Sequence, residues 1–226
     1  MSYHVQYFPI PGLAEPIRLL LHLGKLDFVD QKITFKEWPE VKKTMKWGQA
    51  PVVIAPDGFE MAQTKAIVRY LGKQVSWGKQ KLIFPRPLYP NDPRLAFRAD
   101  EMIDALEDVR LKLLPTHQIQ DADMKAAALR ALFVEGGDCH EQLKRIERHC
   151  GERFVVGDML TIADIWFFCS LNLLRSGVLA GIPKDFLDAF PRLKAVVANV
   201  GAIPEVRAYY SKKDIGSEPS YAPFVE

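Results

Sequence analysis

The spacing of apolar residues changes near residue 80. Ahead of that point, short strand-like runs alternate with helical patterns. Tyr3 to Phe8, rich in aromatic and β-branched residues, predicts a first strand. Gly12 and Pro16 punctuate the chain, and Ile17, Leu19, Leu20, Leu21 and Leu23 predict a helix that Gly24 closes at a C′ position. Phe28 to Phe35 reads as a second strand, and Pro39 to Lys46 as a short helix or irregular turn. Pro51 leads into Val52, Val53 and Ile54, after which Asp57-Gly58 is a hairpin signal and Gln63 to Lys73 a closing helix. This order implies a small sheet with one parallel βαβ unit.

From Ser76 to Pro93 four prolines and few periodic apolar positions predict a linker. The pattern after it is helical. Asp92 is a ready N-cap with Pro93 at the first helical position. Leu95, Ala99, Met102, Ile103, Leu106, Val109 and Leu113 recur at helical spacing, with Asp100, Asp104 and Glu107 on the opposite, acidic face. Residues 122 to 150 predict a second long helical segment that Gly136-Gly137 can interrupt, and Thr161 to Leu174 a third. Further helices are expected around 185–200 and 204–211. The expected architecture is a small α/β domain over residues 1–79 and an all-helical domain over 88–226.

Composition narrows the class. At 48% hydrophobic and 26% charged residues the chain has the make-up of a soluble globular protein rather than a disordered one, and 226 residues allow one large domain or two small ones. A net charge of +2 with scattered basic residues, the densest being Lys42, Lys43 and Lys46 and the pair Lys212 and Lys213, argues against a nucleic-acid surface. The longest uncharged apolar stretch, Ile165 to Leu174, is half of the roughly 20 residues a membrane span needs. Three cysteines with no CxxC pair favour a reducing compartment, and no secretory signal is evident, so a soluble cytoplasmic protein is expected.

Phosphate-loop, dinucleotide and nucleophile-elbow patterns are absent. Cys139 and Cys150 would lie about 16 Å apart on one helix. Both therefore cannot ligate one zinc, and with Leu143 and Ile146 they fit a core-facing stripe. Thr161-Ile162-Ala163-Asp164 has the spacing of a capping box, a folding role.

Four places carry readings of more than one kind. Pro51 fits an ordinary trans proline at a strand start, whereas a cis bond there would turn the Gln49 and Ala50 backbone outward for strand addition to a ligand. Gln63-Thr64 opens a helix whose N-terminus suits either simple capping or a carboxylate. Trp38 and Lys42 share a helical face and could hold a second carboxylate, or be a surface aromatic beside a solvated lysine. Tyr7 ends the first strand, where a tyrosine packs or donates to an anion.

In combination these residues resemble a cytosolic glutathione S-transferase of the tyrosine type, nearest to the sigma class with some mu-like character. YFPIPGLAEPIRLLL is similar to that family's first strand and helix, WPEVKKTMKWGQAPVV to its glutathione loop with a cis-proline, and MAQTKAIVRYLG to its γ-glutamyl site. DEMIDALEDV and VGDMLTIADIWF are similar to its helical domain. The resemblance runs from about residue 3 to 211. It implies a thioredoxin-like N-terminal domain, a helical-bundle C-terminal domain and a homodimer. It also implies reduced glutathione as co-substrate, with no further cofactor and no metal, and small hydrophobic electrophiles as the other substrate.

By the same resemblance Tyr7 activates the thiol, Trp38 and Lys42 bind the glycyl carboxylate, and Ala50, before Pro51, pairs with the cysteinyl backbone. Gln63 and Thr64 hold the γ-glutamyl carboxylate with Gln49 nearby, and Asp100 reaches across the dimer to the γ-glutamyl ammonium. Phe8, Leu13 and Met102 line the hydrophobic co-substrate site. Many relatives carry arginine at the place of Pro11 or Leu13, as sigma-like prostaglandin D synthases do at the latter, which weakens an isomerase reading. A peroxidase, or a non-catalytic relative of the S-crystallin or ligandin kind, would use the same fold.

Overall fold

A computed structural model describes residues 2–76 and 86–211. The segment 77–85, half of the expected linker, lies outside the described residues, as do Lys212, Lys213 and the rest of 212–226. The chain divides into two compact units, one running to Pro90 and resuming at Pro204, the other spanning Asn91–Ile203.

The first unit is a four-stranded sheet in the order β2-β1-β3-β4. Strands β1 (Tyr3–Tyr7) and β2 (Phe28–Lys32) are parallel and joined through α1 (Glu15–Leu23); β3 (Val52–Ile54) runs antiparallel to β1 and to β4 (Glu60–Ala62). The hairpin falls on Asp57-Gly58 as the sequence predicts. Gly58 takes φ +88°, and Asp57 Oδ1 accepts from the Phe59 N–H at 3.0 Å. Helix α2 (Trp38–Thr44) buries none of its seven residues, while α3 (Thr64–Gln74) packs on α1.

Helix α1 is apolar nearly all round, with Ile17, Leu19, Leu20 and Leu21 at zero exposure. Fully burying each such side chain stabilises by about 1.5–3 kcal/mol. Its end departs from expectation. Gly24 keeps right-handed φ (−75°), and Lys25 instead takes the left-handed turn at φ +51°. Gly24 is there for space: a Cβ at that position would lie 2.6 Å from Val75 Cγ2.

Helix α9 (Pro204–Tyr210) packs on α1 in this first unit, where the sequence had grouped it with residues 88–226. His22 Nε2 lies 3.1 Å from the Glu205 carbonyl oxygen.

The second unit is helical: α4 (Pro93–Leu113), α5 (Ala122–Phe133), α6 (Asp138–His149), α7 (Ile162–Arg175) and α8 (Pro191–Gly201). Asp92 caps α4, accepting from the Arg94 and Leu95 N–H groups at 2.9 Å. The glycine pair separates α5 from α6. Gly136 takes φ +82°, and a Cβ on Gly137 would sit 2.3 Å from the Ala131 carbonyl oxygen.

Cys139, Leu143, Ile146 and Cys150 are buried together as their spacing predicts. Burial pushes the Cys139 thiol up to about 11 and the Cys150 thiol up to about 12. Thr161 and Asp164 close the capping box at the start of α7. No helix among the described residues is long and apolar enough to cross a membrane.

Candidate functional site

Alternation along β1 turns Tyr7 inward with Tyr3 and Val5, leaving it 6% exposed at the strand's end. The Tyr7 carbonyl accepts from the Ile33 N–H at 2.8 Å, which fixes that end beside the continuation of β2. The chain then passes through a 3-10 turn, Gly12–Ala14, into α1. Within it the Leu13 N–H donates to the Tyr7 hydroxyl oxygen at 3.1 Å. The phenol oxygen is thus an acceptor toward Leu13, and its O–H is the donor. Gly12 makes the approach feasible: at φ +43°, a Cβ there would meet the Tyr7 hydroxyl at 2.6 Å.

A cluster of rings extends from this point. Phe8 lies 5.2 Å from the Tyr7 ring, stacks on Phe35 at 4.8 Å and meets Trp38 edge-on at 5.1 Å. Trp38 opens α2, with Lys42 one turn further on and exposed. The entry to α2 is set by a reciprocal pair: Thr34 N–H donates to Glu37 Oε2 at 3.0 Å, and Glu37 N–H to Thr34 Oγ1 at 3.2 Å. The Thr34 hydroxyl and amide both hold the Glu37 carboxyl below its usual range.

The Ala50–Pro51 bond is cis, with Pro51 buried at the entry to β3. Gln63 Nε2 donates to Gln49 Oε1 at 3.2 Å, joining the loop before Pro51 to the start of α3. Gln63 itself takes φ +71°, a conformation that costs a non-glycine residue on the order of 1–3 kcal/mol and clusters at functional sites. Its side chain makes no cap bond to α3, whose first residue, Thr64, is buried.

Tyr7, Phe8 and Trp38 are therefore brought together, with Leu13 on the Tyr7 oxygen and Lys42 on the same short helix. Gln49 and Gln63 form a second group flanking Ala50 and Pro51. Asp100 and Met102 lie on α4 in the other unit, the first half-buried and the second 2% exposed. No group of three or more His, Cys, Asp or Glu side chains that could hold a metal ion exists among the described residues.

The structure adds residues that the sequence reading passed over. Phe35 is 64% exposed yet stacked on Phe8. Behind the Tyr7 turn, Arg18 is 1% exposed, with Nε 3.0 Å from Asp30 Oδ2 and Nη1 3.3 Å from Glu15 Oε2. Burial would lower the guanidinium pKa, but Glu15 and Asp30 outweigh it and the pKa stands above its ordinary value. Two signals were available. Thr34-x-x-Glu37 has capping-box spacing, and Glu15 with Arg18 is a charged i, i+3 pair inside an apolar helix.

The likeness to known proteins covers both units. The model of the glutathione S-transferase N-terminal domain matches residues 3–73, and that of the glutathione S-transferase C-terminal domain matches 107–213. A glutathione S-transferase of Anopheles gambiae is 32% identical over 95% of this chain and 98% of its own. The hematopoietic prostaglandin D synthase of Gallus gallus is 28% identical over 94% and 96%. Among solved structures, prostaglandin synthase D of Nilaparvata lugens superposes with a TM-score of 0.77 at 26% identity, covering 95% of this chain and all of that one. The sheet order, the helical second unit and these two domain matches have one explanation: the chain belongs to the glutathione S-transferase family.

Proposed function

We propose that this glutathione transferase conjugates reduced glutathione to small hydrophobic electrophiles, with Tyr7 holding the sulfur as thiolate. The observation that carries the reading is the Tyr7 hydroxyl, which accepts from the Leu13 N–H at 3.1 Å and sits beside the Phe8–Trp38 ring cluster. Thiolate is the nucleophile, and a free thiol near neutral pH is mostly protonated. One hydrogen bond to a charged group contributes about 1.5–3 kcal/mol, which corresponds to roughly 1–2 pKa units. The rest is proximity, an electrophile held against a positioned sulfur. Such a reaction needs no metal and no general base on the protein.

In this reading Trp38 and Lys42 bind the glycyl carboxylate, the Ala50 backbone pairs with the cysteinyl residue, and Gln63, Thr64 and the α3 N-terminus take the γ-glutamyl carboxylate with Gln49 beside them. The strained Gln63 supports a ligand role over plain capping. Phe8 and Leu13 flank the electrophile. The class is the tyrosine type, sigma-like with mu-like character at Leu13.

Retention on immobilised glutathione followed by conjugation of a chloronitrobenzene tests the reading. The wild type is expected to be retained and to conjugate. Tyr7→Phe is expected to be retained and to lose about tenfold or more in turnover at neutral pH. Retention without conjugation by the wild type would point to a binding protein instead. No retention would overturn the glutathione site.

A further inference from the structure

Tyr7 and the Gly12–Ala14 turn that leads into α1 are joined by four residues, Phe8 to Pro11, and two of them are prolines. Proline has no N–H, so this turn has half the usual backbone donors with which to hold its own shape. Its carbonyls are held from outside. Arg18 Nη1 donates to the Ile10 carbonyl at 2.9 Å and to the Pro11 carbonyl at 3.2 Å, and Nη2 donates to the Phe8 carbonyl at 3.4 Å. One guanidinium thus gathers three of the turn's four carbonyls.

The same group is anchored on its other sides. Nε pairs with Asp30 on β2 and Nη1 with Glu15 in the first turn of α1. Asp30 also pairs with Lys32, whose ammonium is pushed down by burial and by Arg18. Two cations therefore face two carboxylates. The Arg18 charge is matched locally, so its effect on the sulfur is not that of a loose positive charge. Its guanidinium carbon lies 5.8 Å from the centre of the Tyr7 ring.

A buried arginine that served only to neutralise Glu15 would not need the fork. Burying a guanidinium is costly unless its donors are used, and here both Nη groups donate to the one segment that sets the Leu13 amide. We propose that Arg18 is a positioning residue for glutathione transfer: by holding the Phe8–Pro11 turn it seats the Leu13 N–H on the Tyr7 oxygen and aims the Tyr7 hydroxyl at the sulfur. This rests on the Tyr7 reading above. Arg18 does not touch glutathione; it acts through Tyr7. Lysine preserves the charge facing Glu15 and Asp30 but lacks the planar fork that spans several carbonyls.

The experiment is a double-mutant cycle on the full chain with Arg18→Lys, Tyr7→Phe and the pair. It reads the pKa of enzyme-bound glutathione, kcat and the glutathione KM with a chloronitrobenzene, and circular dichroism for folding. Arg18→Lys is expected to raise the bound-thiol pKa by about half a unit to one unit and to lower kcat about threefold to tenfold. KM should stay within about twofold, since the carboxylate sites are elsewhere. In the Tyr7→Phe background the same substitution is expected to change pKa and kcat by less than about twofold.

Equal effects in both backgrounds would mean a general structural role and overturn the proposal. So would a KM increase with no pKa shift, or no change at all. If Arg18→Lys does not fold, Asp30→Asn decides. It keeps the arginine, removes one anchor at a partly exposed carboxylate, and should give a smaller shift of the same sign that vanishes with Tyr7→Phe. The two readings fail differently. An unshifted thiol in Tyr7→Phe alone removes both, whereas a shift there with none in Arg18→Lys or Asp30→Asn removes only the role of Arg18.

Discussion

Gly12 and Tyr7 share a space that admits no extra atom. With the glycine at φ +43° and a notional Cβ 2.6 Å from the hydroxyl and 3.0 Å from Cε1, alanine must displace the phenol or distort the turn. Gly12→Ala is therefore expected to cost about 1–2 kcal/mol of stability from the left-handed backbone. Turnover should fall about tenfold or more, with a smaller rise in glutathione KM. Steady-state kinetics beside a thermal melt check this, and unchanged kcat would mean that the hydroxyl's position is not what matters. Tyr7, Phe8, Trp38 and Gln63 were legible as types in a pattern. Gly12 was legible only as a turn residue, because its reason is the Tyr7 ring onto which the turn folds back. Arg18 was not legible as a holder of carbonyls, since nothing local to α1 says which turn folds back over it.

At the scale of elements, the caps and breaks were the most readable features. The Asp92-Pro93 start, the Gly136-Gly137 interruption and the Thr161-Asp164 box all depend on near neighbours in sequence, the farthest being Ala131 against Gly137. The end of α1 was misread for the opposite reason. Gly24 answers to Val75, about fifty residues away, and the left-handed turn moved to Lys25. The box at α7 makes its own prediction. Asp164 is fully buried, accepts from the Val155 N–H at 2.6 Å and from the Thr161 N–H at 2.7 Å, and burial pushes it up to about 6. Asp164→Asn puts an amide donor against one of these N–H groups, a loss of about 2–3 kcal/mol. The folded pKa lies above the ordinary value of 3.8, so folding takes up a proton between these values. The carboxyl's contribution is largest at acid pH and declines as pH rises through about 6. The stability gap between wild type and Asp164→Asn, from denaturant unfolding, should narrow from pH 4 to pH 7. A gap that widens over that range would contradict it.

At the scale of the whole molecule, an α/β unit and a helical one match the two kinds of apolar spacing along the chain. The return of α9 to α1 is not legible that way, because a contact such as His22 with the Glu205 carbonyl leaves no periodic trace. We propose a homodimer in which α4 carries a residue of the partner's site. Asp100 is half-buried there, and Glu107 lies on the same acidic face with Arg110 at 2.6 Å. If Asp100 completes the glutathione site of the other subunit, Asp100→Ala should weaken glutathione binding about fivefold or more while leaving the dimer mass in light scattering unchanged. Unaltered affinity by calorimetry would return Asp100 to a local role. Proton loss from the bound thiol is the property that the Tyr7 phenol is proposed to control. Its most direct test is the thiolate absorbance of bound glutathione, titrated with pH in the wild type and in Tyr7→Phe. The account predicts a bound-thiol pKa higher by about one to two units in the mutant, with the ring still packed and glutathione still bound. An unshifted pKa would contradict it and assign the sulfur to another donor, such as a backbone N–H of the Pro9–Leu13 turn.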